Sequence, residues 1–207
     1  MTFPLMPTVP AYIRAAPTWS GQVGAASSTS DAFVGGTITL TATTATRLLV
    51  VFFQIGNVGG RVATITIGGV TPTTAAQVDG YYVFTTPVST SGTALTLAGT
   101  QSGTYGRSVW RAYELSGYSS ATPSIIMSAP STAPVSSWSA MTSTNMATGG
   151  LFEGTSTLTV SAGTAPSVVA TGLEAGVYNN FLQGATAQGP ITYTPGQSTR
   201  YLFAAWS

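Results

Sequence analysis

The stretch that decides the fold is residues 46–73, TRLLVVFFQIGNVGGRVATITIGGVTPT. It holds two kinds of strand. Residues 48–55 are apolar at nearly every position, with Leu49, Val51, Phe53 and Ile55 on one face and Leu48, Val50 and Phe52 on the other. Successive side chains of a strand point to opposite faces, so this segment has to be buried on both. Residues 62–67 alternate instead. Ala63, Ile65 and Ile67 share one side, and Thr64 and Thr66 share the other, the pattern of a strand with one wet face. A two-layer sandwich covers one face of a strand. The second face of 48–55 therefore requires a third layer, a long loop or a neighbouring subunit. The chain carries few charges to hold surfaces apart, and a subunit contact through Leu48, Val50 and Phe52 is expected.

The β signal extends outward from this stretch in both directions. Upstream, GGTITLTAT (35–43) places Ile38 and Leu40 inward and Thr37, Thr39 and Thr41 outward. Downstream, YYVFTTPV follows the turn pair Asp79-Gly80, and further strands are predicted at 93–99, 107–115, 123–129, 137–144, 149–154, 156–162, 167–172, 176–184, 191–194 and 199–207. Gly, Pro, Asn and Ser punctuate these runs. The rhythm predicts an all-β, antiparallel two-sheet β-sandwich over residues 32–207 rather than βαβ units. At most one helical turn is expected, near 172–176.

Residues 1–31 read differently. Pro4, Pro7, Pro10 and Pro17 favour extended conformations, and SGQVGAASSTSD (20–31) reads as a linker. Phe3, Leu5, Met6, Tyr12 and Ile13 are too few for a core and are expected to anchor the arm on a partner surface. The segment lacks a basic region ahead of a long apolar core, so no Sec signal is expected.

Composition excludes several classes of function. Charged residues make up 5% of the 207, against roughly 25% in an ordinary soluble domain. All six basic residues are arginines, five residues are acidic, and histidine and cysteine are absent. Six scattered arginines and a net charge of +1 give no footprint for nucleic acid. The apolar run at 48–53 is far short of the roughly 20 residues a spanning helix needs, so no membrane insertion is expected. Ser and Thr hydroxyls wet the surface instead of charges.

Chemistry has few carriers. A nucleophilic triad needs a base, and the chain has neither histidine nor lysine. Of the five acids, Asp79 and Glu114 are the best placed for carboxylate chemistry. Alternation puts Glu114 on the face of Trp110 and Ala112, where it acquires a raised pKa, pairs with an arginine or stands exposed at a strand end. Calcium-type spacing of acids is missing. No catalytic residues, no metal site and no cofactor are expected. Aromatic residues offer a different chemistry, because sugars stack on exposed rings. Tyr81, Tyr82, Trp138 and Tyr178 are the candidate glycan contacts, with Trp110, Tyr113 and Trp206 also in view. The competing reading fills the core with them.

The order RLLVVFF, then a loop, an alternating strand closing on IGGV, and the aromatic strand YYVFTTPVS resembles a jelly-roll or β-sandwich module of tailed-bacteriophage virion proteins and phage-like gene transfer agents. Head spikes, fibres, decoration proteins and tail accessories carry such modules. The resemblance implies a jelly-roll type of sandwich behind an N-terminal arm. It also implies a structural, non-enzymatic role on a virion after synthesis in the host cytoplasm. The implied partners are other capsid or tail proteins, sister copies in a homo-oligomer, and host-surface glycan. A carbohydrate-binding or adhesin module of a bacterial surface protein is the alternative expectation.

Overall fold

The computed structural model describes residues 17–27, 33–43, 45–55, 63–102, 108–129, 136–138, 146–153, 156–163, 167–174, 177–195 and 201–207. The described residues are strands and their connections. In chain order the strands are β1 (Thr18–Ser27), β2 (Gly36–Thr39), β3 (Arg47–Ile55), β4 (Ala63–Ile67), β5 (Thr73–Val78), β6 (Tyr81–Val88), β7 (Ala94–Gln101) and β8 (Ser108–Ser116). There follow β9 (Ile125–Ala129), β10 (Ser136–Trp138), β11 (Met146–Glu153), β12 (Ser156–Gly163), β13 (Ser167–Glu174), β14 (Val177–Pro195) and β15 (Tyr201–Trp206). Every pairing is antiparallel.

The strands form three sheets where the sequence pattern predicted two. A central sheet runs β1-β8-β3-β6-β5, a front sheet β2-β7-β4, and a back sheet β10-β14-β11-β15-β9 with β12 and β13 also paired to β14. The third sheet accounts for the two-faced strand. All nine residues of β3 are buried. Leu49, Val51, Phe53 and Ile55 pack with Ile38, Leu40, Ile65, Ile67 and Leu97 of the front sheet and its approaches. Leu48, Val50 and Phe52 pack with Ala147, Leu151, Leu202, Ala204 and Trp206 of the back sheet. Each such side chain removed from water contributes roughly 1.5–3 kcal/mol before entropy is counted. This corrects the expected subunit contact: Leu48, Val50 and Phe52 are 0% exposed within a single chain. The third layer, not a neighbour, covers them.

The first strand is a second correction. Residues 20–31 read as linker, yet Thr18–Ser27 pairs with β8 from Thr18↔Ser116 to Ser27↔Val109. Two register shifts, between Trp19 and Gln22 and between Gln22 and Gly24, break the period-two pattern that would have revealed it. Residues 28–32 and the arm residues Phe3, Leu5, Met6, Tyr12 and Ile13 lie outside the described residues. Strand β5 was also missed, because TTAAQV carries little apolar alternation and a bulge between Thr74 and Ala76. The segment near 172–176 is strand through Glu174, with 175–176 outside the described residues.

Strand β14 joins two predicted strands into one of 19 residues. Its first half pairs with β13 and β11, and its second half with β12 and β10. Pro190 interrupts neither half. Val160 pairs with Ile191 and Ala162 with Gln188, so Gly189 and Pro190 stand opposite Ser161 in a bulge, where a missing N–H is tolerated.

Edges are blunted without charge. The outward groups of β4 are engaged at both ends: Ile67 N–H donates to the Val70 carbonyl (2.8 Å), and Ala63 N–H donates to the Tyr82 hydroxyl (3.2 Å). Bulges do the same service for β1 and β5, the edges of the central sheet. The β5–β6 hairpin closes on the predicted turn, with Asp79 at φ 39° and Gly80 at φ 83°, the left-handed pair a two-residue hairpin requires.

Candidate functional site

The chemistry-bearing residues fall into two clusters on opposite faces of the central sheet. On the front side, β3 begins with Arg47 and β8 carries Glu114, paired one register step away opposite Leu49. Both side chains are buried, at 2% and 0% exposure, and Arg47 Nε lies 2.9 Å from Glu114 Oε1. A buried guanidinium has five N–H groups to place. Nε donates to Glu114. Nη1 donates to the carbonyls of Thr43 (2.9 Å) and Ala45 (2.8 Å), and Nη2 to those of Thr41 (3.2 Å) and Thr90 (3.0 Å). The carboxylate is equally occupied, since Glu114 Oε1 also accepts from Thr41 N–H (3.1 Å) and Oε2 from the Thr41 hydroxyl. This is a clamp that ties the 41–45 connection and the 90s loop to two strands. Of the three readings of Glu114, the arginine pairing is the one observed, and exposure at a strand end is overturned by its burial. Its oxygens are hydrogen-bonded and its side chain is buried. Asp79, the other carboxylate considered, occupies the β5–β6 turn. Among the described residues no three His, Cys, Asp or Glu side chains come together as a metal site.

The front core also satisfies its other polar groups. Trp110 Nε1 donates to the Val34 carbonyl (3.0 Å), and Ser108 Oγ accepts from Val34 N–H (2.9 Å). The Tyr82 hydroxyl accepts from Ala63 N–H and from Gln77 Nε2 (3.3 Å). Burial raises the Tyr82 pKa, and the Ala63 hydrogen bond lowers it in part.

The back side is aromatic. Trp19, Phe52, Tyr113 and Trp206 form one cluster, with Trp19 edge-on to Trp206 at 5.7 Å and to Tyr113 at 6.2 Å between centroids. Phe52 lies 6.0 Å from Tyr113 and 6.2 Å from Trp19. The back sheet reaches this cluster through Gly149. A Cβ there would collide with the Phe52 ring and come within 3.2 Å of Trp19. Three buried polar atoms have no hydrogen-bond partner among the described residues: Gln54 Oε1, Thr85 Oγ1 and Tyr113 Oη. Tyr113 and Thr85 both stand opposite Val50, one on each side of β3, so the two lie in one cross-strand row of the back-facing surface. Gln54 shares that surface, since it follows Phe52 by two. Burial pushes the Tyr113 hydroxyl up to about 12, with the nearby Arg111 acting in the opposite sense.

The glycan candidates are placed as follows. Tyr81 and Tyr82 are 0% and 2% exposed, so neither offers a face for a sugar to stack on, which corrects that expectation. Hairpin geometry turns both inward, Tyr81 to the back core and Tyr82 to the front. Trp110, Tyr113 and Trp206 are buried as well. Trp138 and Tyr178 stand in the backbone ladders of β10 and β14, and their side chains lie outside the described residues. Sequence reasoning missed Trp19, which fell in the Pro-rich arm just ahead of the supposed linker, and Gln54. The available signal for Gln54 was a lone amide closing a run of six apolar residues, in a segment already assigned to burial.

Comparison with known proteins adds no relative: no family model, no curated protein and no solved structure matches this chain.

Proposed function

We propose that the chain is a non-enzymatic structural protein of a phage-like virion, made in the host cytoplasm and displayed on the particle as a spike, fibre or decoration component. The observation that carries this reading is the pairing order of β1 to β8. Rolling up a long antiparallel hairpin of eight strands brings the first to the eighth, the second to the seventh and the third to the sixth. Those three pairs are present here, and β8–β3 and β7–β4 join them into facing sheets. The one departure is β5, which pairs with β6 rather than lying beside β4. Jelly rolls of this order serve in viral capsids and in lectins.

Within that family of uses, the near absence of charge favours a packed particle. Like surfaces of such a chain approach without repulsion. The Pro-rich arm carrying Phe3, Leu5, Met6, Tyr12 and Ile13 is the proposed anchor to capsid or tail, and outward loops are the proposed contact with host glycan. The adhesin alternative draws on the same fold, but two of its four aromatic candidates are buried.

The test is retention on the particle. Virions purified on a density gradient should carry the full chain in fixed copy number. A variant lacking residues 2–16 should keep its β-type circular dichroism and be lost from the particle. A chain that never sediments with virions would overturn the proposal.

A further inference from the structure

We propose that the back sheet undocks from the central sheet as a unit, and that the face it uncovers is taken by the back sheet of a second copy of this chain. This deepens the assembly reading above by naming a partner and a surface, and it rests on that reading only for its biological setting.

Four observations lead to it. First, the back sheet comes from one contiguous stretch, Ile125 to Trp206, and among the described strands none of its members hydrogen-bonds with a strand of the other two sheets. It can leave without breaking a ladder. Second, the two faces of the central sheet differ in quality. On the front, Arg47, Glu114, Trp110 and Tyr82 are hydrogen-bonded. On the back, Gln54, Thr85 and Tyr113 each bury a polar atom without a partner among the described residues. An orphaned buried group opposes docking, because water satisfies it once the layers part.

Third, the connection between the layers has one place to turn. Residues beyond Gly117 are fastened to the back sheet: Ser119 N–H donates to the Ser207 carbonyl (2.7 Å), Ser124 N–H to the Ala205 carbonyl (2.8 Å) and Trp206 Nε1 to the Ala121 carbonyl (3.3 Å). Leu115 belongs to the core, whereas Ser116 and Gly117 are exposed, and Gly117 has φ 73°. The proposed hinge is Gly117, one residue past the last pairing of β8, Thr18↔Ser116. Fourth, the surfaces that part are apolar on both sides. Leu48, Val50, Phe52 and Tyr113 face Leu151, Leu202 and Trp206, with the Arg111 guanidinium beside Tyr113 as a charged group on this face of β8. Exposed aromatic surface of this kind is unstable in water. The surface complementary to it in shape is the same layer of another copy, which remakes each contact in trans. Exchange of an identical element leaves only the hinge and the association entropy to distinguish monomer from dimer.

The experiment uses the purified full-length chain with no particle present. Hydrogen exchange should show amides of β9, β11 and β15 opening together, ahead of β3 and β8. The double variant Thr85→Val/Tyr113→Phe removes two orphaned hydroxyls with little change of shape. It should slow back-sheet exchange by about tenfold, the equivalent of roughly 1.4 kcal/mol. Heavy- and light-isotope chains, mixed and followed by native mass spectrometry, should form mixed dimers, more slowly in the variant by a similar factor. Gln54→Leu supplies the same comparison if the double variant does not fold. Three results would each sink the idea. They are back-sheet amides that exchange only with global unfolding, a chain that stays monomeric at high concentration, and mixed dimers that form at a rate the variants leave unchanged. None of these outcomes depends on whether the chain binds a virion.

Discussion

Arg47 and Glu114 show how one pair of residues organises a region. Each is buried, each is fully hydrogen-bonded, and together they hold two loops and two strands. Breaking such a pair leaves an uncompensated charge in the interior, which typically costs about 3–5 kcal/mol. Arg47→Ala should therefore lower the urea midpoint sharply, with loss of the native fold at moderate denaturant. Tyr113 makes a pH prediction. Its folded pKa of about 12 stands above the ordinary value of 10.0, so the unfolded chain ionises first as pH rises. The stability from the neutral buried phenol is fully present below pH 10.0 and declines as pH climbs toward about 12. The slope from this residue is roughly 1.4 kcal/mol per pH unit. Urea melts between pH 9 and 11 should show the decline, and Tyr113→Phe should flatten it.

At the scale of elements, the two-faced strand was legible and its neighbours were not. The parity of β3 assigned every aliphatic side chain to the correct one of two faces, because alternation is a property of the strand alone. The Asp79-Gly80 turn was legible for the same local reason. By contrast, β1 is, apart from Trp19 and Val23, built from small and polar residues with two bulges and carries no local period to read. The candidate sugar platforms failed on a related point, since ring exposure depends on what packs over the ring. Close approach of sheets supplies a prediction here. Gly149→Ala drives a methyl into the Phe52 ring, which Trp19 and Tyr113 hold in place. Overpacking should cost about 1–3 kcal/mol, measured by thermal or chemical melts. Gly21, with nothing within 4 Å of a Cβ, should accept alanine with little change.

At the scale of the whole molecule, the described residues form three antiparallel layers with two cores sharing one central sheet. Many of its pairings are remote in sequence. Thr18 meets Ser116, Leu48 meets Leu115, and the clamp joins residues 67 apart. Contacts of such separation close large loops before they yield energy, and all-β domains of this kind fold in about milliseconds to seconds. Stopped-flow refolding by tryptophan fluorescence should fall in that range, well below helical-bundle rates. A microsecond phase carrying the full amplitude would contradict the topology.

The sequence by itself determined the β class, the faces of β3 and β4, the hairpin turn and the poverty of charge. Each of these is written in period, composition or a local φ requirement. Only the tertiary structure decided that a third sheet covers Leu48, Val50 and Phe52, that Arg47 is the partner of Glu114, and that Trp19 belongs to the core. A pattern of burial states that a face is covered. It does not name the cover, because that choice is made among segments tens of residues away by packing and hydrogen-bond geometry.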